Sequence, residues 1–266
     1  MTLLAALGGR DGAVLAADSR AVFNEAPRRV ADDTRAKLSR LNRWCGVGAS
    51  GAAGISTYLM DSLKKRLERE EPRYVDGMAQ LLHEHFREKF SAWFGTRQWV
   101  APKGHEDQRP HVSFVLAGYT ASSHLQEGLK IYTLSSGFDF APQRSPNGRA
   151  LSGARTYATY LLRRLHSNEL DVDRLALLAA YIIEETAQQH PEVGGPPRIA
   201  KIRQGTGYLE LEPDEVAALI KRNDTFNQYL RYYFYAETRP CADAPGNTRE
   251  PSPTRSTHVA KEEVPF

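Results

Sequence analysis

Cysteine is nearly absent: Cys45 and Cys241 are the only two in 266 residues. Two thiols so far apart build no disulfide framework, and the expectation is a protein of a reducing, cytoplasmic compartment. Long apolar runs are missing as well. The longest, LALLAAYII at 175–183, falls short of a membrane span and reads as a buried helix. Neither H-E-x-x-H nor C-x-x-C occurs, so the commonest zinc signatures are excluded and no metal or other cofactor is expected. Charge of one sign is also scarce. The 35 basic residues are interleaved with 32 acidic ones for a net charge of +3, which gives no electrostatic case for nucleic acid or a membrane surface as partner.

What remains is the composition of a globular protein, 41% hydrophobic and 25% charged. The first residues, MTLLAALGGRDGAVLAADSRAV, are not a secretion signal. They lack a basic start, and GGRDG puts a turn and two charges where an apolar core should continue. Residues 3–8 and 13–17 read instead as two short strands joined by an Asp-Gly hairpin connection.

Residues 42–48 predict another strand, entering a glycine- and alanine-rich turn. Apolar residues then recur at helical spacing, first Ile55, Tyr58, Leu59, Leu63 and Leu67, then Val75, Met78, Leu82, His85 and Phe86. WVAPKGHEDQRP (99–110) is loop by composition. Strands are expected at 111–119 and 129–135, helices over 154–165 and 171–188, and a strand pair at RIAKI and GYLEL. A last helix starts at Pro213 or Asp214, since proline suits a first helical position. This order predicts an α+β fold of antiparallel sheets with helices outside. The expected organisation is one domain over 1–236, with 213–235 an additional helix, followed by a disordered tail over 237–266 rich in Pro, Ser and Thr.

The most conspicuous motif is a weak one. GVGASG (46–51) matches the dinucleotide pattern G-x-G-x-x-G, but the second buried strand with its terminal acid does not follow. Tight packing of small residues between strand and helix is the plainer reading. GASGA (48–52) lacks the second glycine of a nucleophile elbow, and SLKK (62–65) lies on a charged helix face without companion motifs.

The amino terminus carries more. In an antiparallel hairpin Thr2 begins one strand and Asp18 ends the next, so both reach the same edge. Lys37, just before LSRLNRWCGVG, is the best-placed cation to join them. A threonine hydroxyl needs a base, and a free α-amine serves once Met1 is gone. That amine has an ordinary pKa of roughly 7.7–8.0, and a nearby ammonium favours its neutral form. Asp18 would hold Lys37 charged and oriented, and Gly51 would offer its N–H to an oxyanion. Singly, a threonine in second place, an aspartate closing a strand and a lone lysine are ordinary residues; only their convergence carries chemistry.

Together, MTLLAALGGRDGAVLAADSRAV, KLSRLNRWCGVGASGAAG, HVSFVLAGYT with LKIYTLSSGFDFAPQ, and ALSGARTYATYLLRRL resemble the proteasome β-subunit family of N-terminal nucleophile hydrolases. The resemblance covers about residues 2–203. With no leader ahead of Thr2, the chain is more similar to the HslV-like and ancestral-β branches. The resemblance implies a four-layer αββα sandwich, two antiparallel sheets between helical layers. It implies a threonine-type endopeptidase with Thr2 as nucleophile, Asp18 and Lys37 behind it, Gly51 at the oxyanion hole and Ser152 near the terminal amine. Arg20 matches a structural position. Ala21, Ala49 and Ala53 fall where the family lines its specificity pocket, which they would leave roomy and apolar. A polypeptide substrate, a homo-oligomeric ring or related assembly and an ATP-dependent unfoldase are the implied partners.

The family's supporting Asp and Ser have no evident counterpart in ETAQQHPEVGGPPRIAKI, where His190 and Glu192 are the nearest substitutes. Two other readings stay open: an amidase of small amides with the same nucleophile, and a non-catalytic ring or scaffold subunit.

Overall fold

The computed structural model describes residues 2–25, 28–95, 109–120 and 128–236. The expected tail over 237–266 and most of the expected loop at 99–110 lie outside the described residues. The chain divides into two compact units, Met1–Thr225 and Phe226–Phe266.

Two five-stranded antiparallel sheets organise the first unit. One has the order β10 (Arg149–Gly153), β1 (Leu3–Gly8), β2 (Gly12–Ala17), β11 (Arg198–Arg203), β12 (Gly207–Glu210). The other runs β5 (Leu38–Arg40), β6 (Cys45–Gly51), β7 (Val112–Tyr119), β8 (Leu129–Ser135), β9 (Gln143–Arg144). A separate ribbon pairs β3 (Ala21–Glu25) with β4 (Arg28–Asp32). The helices are α1 (Ala53–Leu67), α2 (Val75–Phe94), α3 (Arg155–Leu165), α4 (Val172–Gln189) and α5 (Pro213–Ala236), the last of which contains the division between units. The α+β expectation therefore holds.

Strands β1 and β2 are apolar throughout because both of their faces are covered. Side chains alternate across a strand. Leu3, Leu7, Val14 and Ala16 pack with Leu161, Leu162, Leu175, Ala179 and Ile183 of α3 and α4. Their neighbours Leu4, Ala6, Ala13, Leu15 and Ala17 pack with Leu38, Val115, Ala117 and Ile131 of the other sheet. A third core joins Val47, Phe114 and Leu134 to Leu59, Leu63, Met78, Leu82 and Phe86 of α1 and α2. Each fully buried Leu or Phe contributes roughly 1.5–3 kcal/mol, which makes these cores the main source of stability.

Helix ends follow local chemistry. Asp171 caps α4, its carboxylate accepting from the Arg174 N–H at 2.9 Å. Pro213 opens α5 as its sequence position predicts, and the Glu215 carboxylate accepts from the Glu212 N–H at 2.9 Å.

Two expectations need correction. The glycine- and alanine-rich turn is strand: residues 45–51 are all β6. A Cβ on Gly46 would lie 2.3 Å from the Tyr208 ring, and one on Gly48 would lie 2.2 Å from Leu4. These glycines let one sheet approach the other, not a strand approach a helix. They also sit in an antiparallel ladder with β7 instead of a phosphate-binding loop, which removes the dinucleotide reading.

Candidate functional site

The β1–β2 register pairs Leu4 with Ala17, so Leu3 faces Asp18 and Thr2 lies one residue further along, at the same end of the sheet. The Leu3 N–H donates to Asp18 Oδ1 at 2.9 Å, and the Asp18 N–H returns to the Leu3 carbonyl at 3.2 Å. Lys37, one residue before β5, reaches the same carboxylate with Nζ 2.7 Å from Asp18 Oδ1 and also donates to the Arg20 carbonyl at 2.5 Å. Asp18 is fully buried and Lys37 nearly so.

Burial pushes the Asp18 carboxyl up, against the pull of the Lys37 ammonium and of the Leu3 and Gly194 N–H groups. Burial pushes the Lys37 ammonium down, opposed by Asp18. With three donors on one carboxylate, geometry favours the charged pair, and its desolvation cost makes it dependent on every partner.

Thr2 is itself buried and fixed through its backbone: its carbonyl accepts from the Ala154 N–H at 2.8 Å. Gly153 makes this approach possible. Its φ is +84°, and a Cβ there would lie 1.7 Å from the Thr2 oxygen. Next to it, Ser152 Oγ lies 2.7 Å from Ser50 Oγ of β6, a bond between the two sheets. Gly51 ends β6 with φ +98°, where a side chain would be strained.

Two cavities flank Thr2. One, of about 320 Å³, is lined by Ala21, Ala49 and Ala53 among others, with Arg35, Lys37 and the α1 residues Ser56, Thr57, Met60, Asp61 and Lys64. The other, of about 420 Å³, lies along His111, Ser113, Ser135, Gln143, Ser152 and Arg155. The residues that line both are Thr2, Ser50 and Gly51.

The sequence-based candidates thus converge: Thr2 and Gly51 between the cavities, Ser152 on one, Ala21, Ala49, Ala53 and Lys37 on the other, and Asp18 behind Lys37. The expected apolar pocket is corrected by α1, whose exposed face adds a carboxylate, an ammonium and two hydroxyls to the alanines.

From the stretch 185–202 it is backbone, not a side chain, that reaches Asp18. The Gly194 N–H donates to Asp18 Oδ2 at 3.2 Å, and the Gly194 carbonyl accepts from Ser19 and Arg20 at 3.1 and 2.9 Å. His190 and Glu192 line neither cavity; His190 Nδ1 accepts from the Glu192 N–H at 3.3 Å. Arg20 is held by Asp33 through two bonds of 2.7 and 2.9 Å. Ser50 was not foreseen, although its place one residue before the end of a small-residue strand, next to Gly51, was a usable signal.

Cys45 is fully buried, and that burial pushes its thiol up to about 12. Among the described residues, no His, Cys, Asp or Glu cluster is arranged to hold a metal, and no helix is long and apolar enough to cross a membrane.

No protein-family model and no curated protein sequence matches the chain. Solved structures do match, and the fold they share with it is that of the Anbu (ancestral beta-subunit) proteins. Anbu from Yersinia bercovieri aligns with a TM-score of 0.67 at 14% identity, over 91% of this chain and 100% of that one. An Anbu mutant from a Hyphomicrobium species gives 0.64 at 15%, over 92% and 100%. The helical assembly of the Anbu complex from Pseudomonas aeruginosa gives 0.69 at 17%, over 91% and 98%.

Proposed function

We propose that the chain is a proteasome-like threonine peptidase with the four-layer αββα fold of N-terminal nucleophile hydrolases. It acts once the bond between Met1 and Thr2 is cut. The freed α-amine takes the proton of the Thr2 hydroxyl as its oxygen attacks the scissile carbonyl carbon. Lys37, held by Asp18, keeps the amine neutral and stabilises charge on the attacking oxygen. Gly51 donates its N–H to the oxyanion; the Ala49 N–H, two residues earlier on β6, bonds the Lys37 carbonyl at 2.9 Å, so the strand period turns both toward the same edge. Ser152, with Ser50, orients the amine. The C–N bond then breaks, the ammonium proton leaves with the amine product, and water cleaves the ester by the reverse transfers.

One observation carries the reading: Thr2 lies between two cavities, with a buried Lys–Asp pair at its back. A binding surface on each side of the nucleophile suits a chain extending both ways from the scissile bond. That favours a polypeptide over a small amide. By analogy with the helical Anbu assembly, the working form is a homo-oligomer, in the cytoplasm, fed by an ATP-dependent unfoldase.

Intact-mass analysis with a peptide epoxyketone tests the reading. The expected result is loss of Met1 and a single adduct, absent from Thr2→Ala. A chain that retains Met1, or gains no adduct after losing it, is a scaffold subunit instead. Cleavage of small amides without peptides would favour the amidase.

A further inference from the structure

We propose that the 420 Å³ cavity beside Thr2 selects an acidic side chain on the residue that follows the scissile bond, with Arg155 as the selecting residue. The inference rests on the peptidase reading and adds the substrate class to it.

The chemistry of Thr2 decides which part of the substrate this cavity meets. The α-ammonium formed on attack must hand its proton to the departing amine, so the leaving segment lies on the amine's side of Thr2. Ser152, which orients that amine, lines this cavity and not the 320 Å³ one, while Lys37 lines the other.

The wall is a laid row of hydroxyls. Ser50 of β6 pairs with Ser113 of β7, and Ser113 pairs with Ser135 of β8. Partners in register share a face, and the Ser50–Ser152 bond shows that this face looks toward the other sheet. Two residues back along β8, Thr133 lies on the same face and pairs with Gln143 of β9. All of these residues line the cavity. A hydroxyl turns its proton to whatever acceptor arrives, so the row can donate to the lone pairs of a carboxylate.

Hydroxyls alone would serve a neutral amide as well, and the charge of the wall decides between them. Arg155, the exposed first residue of α3, and His111 line the same cavity, and among the described residues no Asp or Glu does. A planar guanidinium is suited to fork a carboxylate. A lysine would meet Arg155 as a like charge, and a leucine would cover the buried hydroxyls of Ser50, Ser113 and Ser135 without bonding them.

The test uses four peptides that differ only in the residue after the scissile bond: Glu, Gln, Leu or Lys. Each continues past that residue and ends in an amide, so the side chain is the sole carboxylate on the leaving side. Cleavage at that bond by the processed protein is followed by mass spectrometry and read as kcat/KM. Glutamate is expected to be cleaved at least about tenfold faster than its neutral isostere glutamine, with lysine slowest. Arg155→Met should bring glutamate and glutamine within about twofold of each other. Arg155→Lys should keep part of the preference, and Arg155→Glu should put lysine ahead of glutamate. Cleavage as fast with glutamine or leucine as with glutamate, or a preference that survives Arg155→Met, overturns the selectivity alone. No cleavage of any peptide overturns the peptidase reading and the selectivity with it.

Discussion

Ser50 Oγ sits 2.7 Å from Ser152 Oγ, joining β6 of one sheet to β10 of the other next to Thr2. Both hydroxyls are buried, and the next acceptor in reach of Ser50 is the Ser113 carbonyl at 3.4 Å. The pair ties the strand that ends in Gly51 to the strand that seats Thr2.

Removing the Ser152 hydroxyl leaves Ser50 only its long bond to the Ser113 carbonyl at 3.4 Å. Ser152→Ala is expected to lower kcat about tenfold or more, with a loss of about 1–3 kcal/mol in stability for the weakened partner. Ser50→Ala/Ser152→Ala together should recover part of that stability without recovering activity. Peptidase kinetics and chemical denaturation of the three variants check this.

Variants of the Lys37–Asp18 pair separate its structural role from the proposed catalytic one. Asp18→Asn leaves Lys37 a buried cation without its anion and should cost about 3–5 kcal/mol. Lys37→Met should do the same to Asp18. In the double variant both charges are gone, and much of the lost stability should return while peptide cleavage stays abolished. A double-mutant cycle read by calorimetry and by turnover measures both.

Gly153 holds Thr2 through the absence of a side chain. Gly153→Ala adds a Cβ 1.7 Å from the Thr2 carbonyl oxygen at φ +84°, so backbone must shift. The expected result is a folded protein with a loss of about 1–3 kcal/mol, the cost of a strained backbone, and at least about a hundredfold lower kcat from a misplaced nucleophile. Thermal melts and single-turnover kinetics distinguish the two effects.

A pH effect is built into the contact between α4 and the Asn223–Asp224 turn of α5. Burial pushes the Glu184 carboxyl up to about 7, helped by the Asp224 charge and opposed by a hydrogen bond from Asn223. Glu185 adds a smaller push in the same direction. The folded state therefore holds this proton more tightly than the unfolded chain. Its contribution is full below the ordinary value of 4.5 and is lost as pH rises through about 7. Glu184→Gln, neutral at every pH, should raise Tm at about pH 8 and change it little at about pH 4.5. In a domain of this size each kcal/mol is about 2–4 °C, readable by differential scanning calorimetry.

Much of the fold was legible because its strands and helices carry strong periodicity. The β1–β2 hairpin, both helix pairs and the β11–β12 pair follow from apolar spacing and turn residues. The β3–β4 ribbon was not foreseen. Its second strand, RRVAD, is charged and mixed in residue type, with no alternation to mark a buried face. β5 has only three residues, too few for a periodic signal. The strand expected at 42–48 runs on to Gly51, and nothing local reveals that Tyr208 and Leu4 fill the space beside its Gly46 and Gly48.

The site divides along the same line. The sequence by itself determined that Thr2 and Asp18 share an edge, since a short hairpin fixes its own register. It also supplied the small residues, the glycine before α1 and the lysine ahead of β5. Tertiary structure alone decided the rest. Gly194 meets Asp18 from 176 residues away, and Ser50 meets Ser152 across 102. Arg35 and the exposed face of α1 make a charged cavity where alanines promised an apolar one. Backbone donors and cross-sheet contacts leave no mark in residue type or spacing, because they depend on where two distant segments are brought together by the packing of the cores.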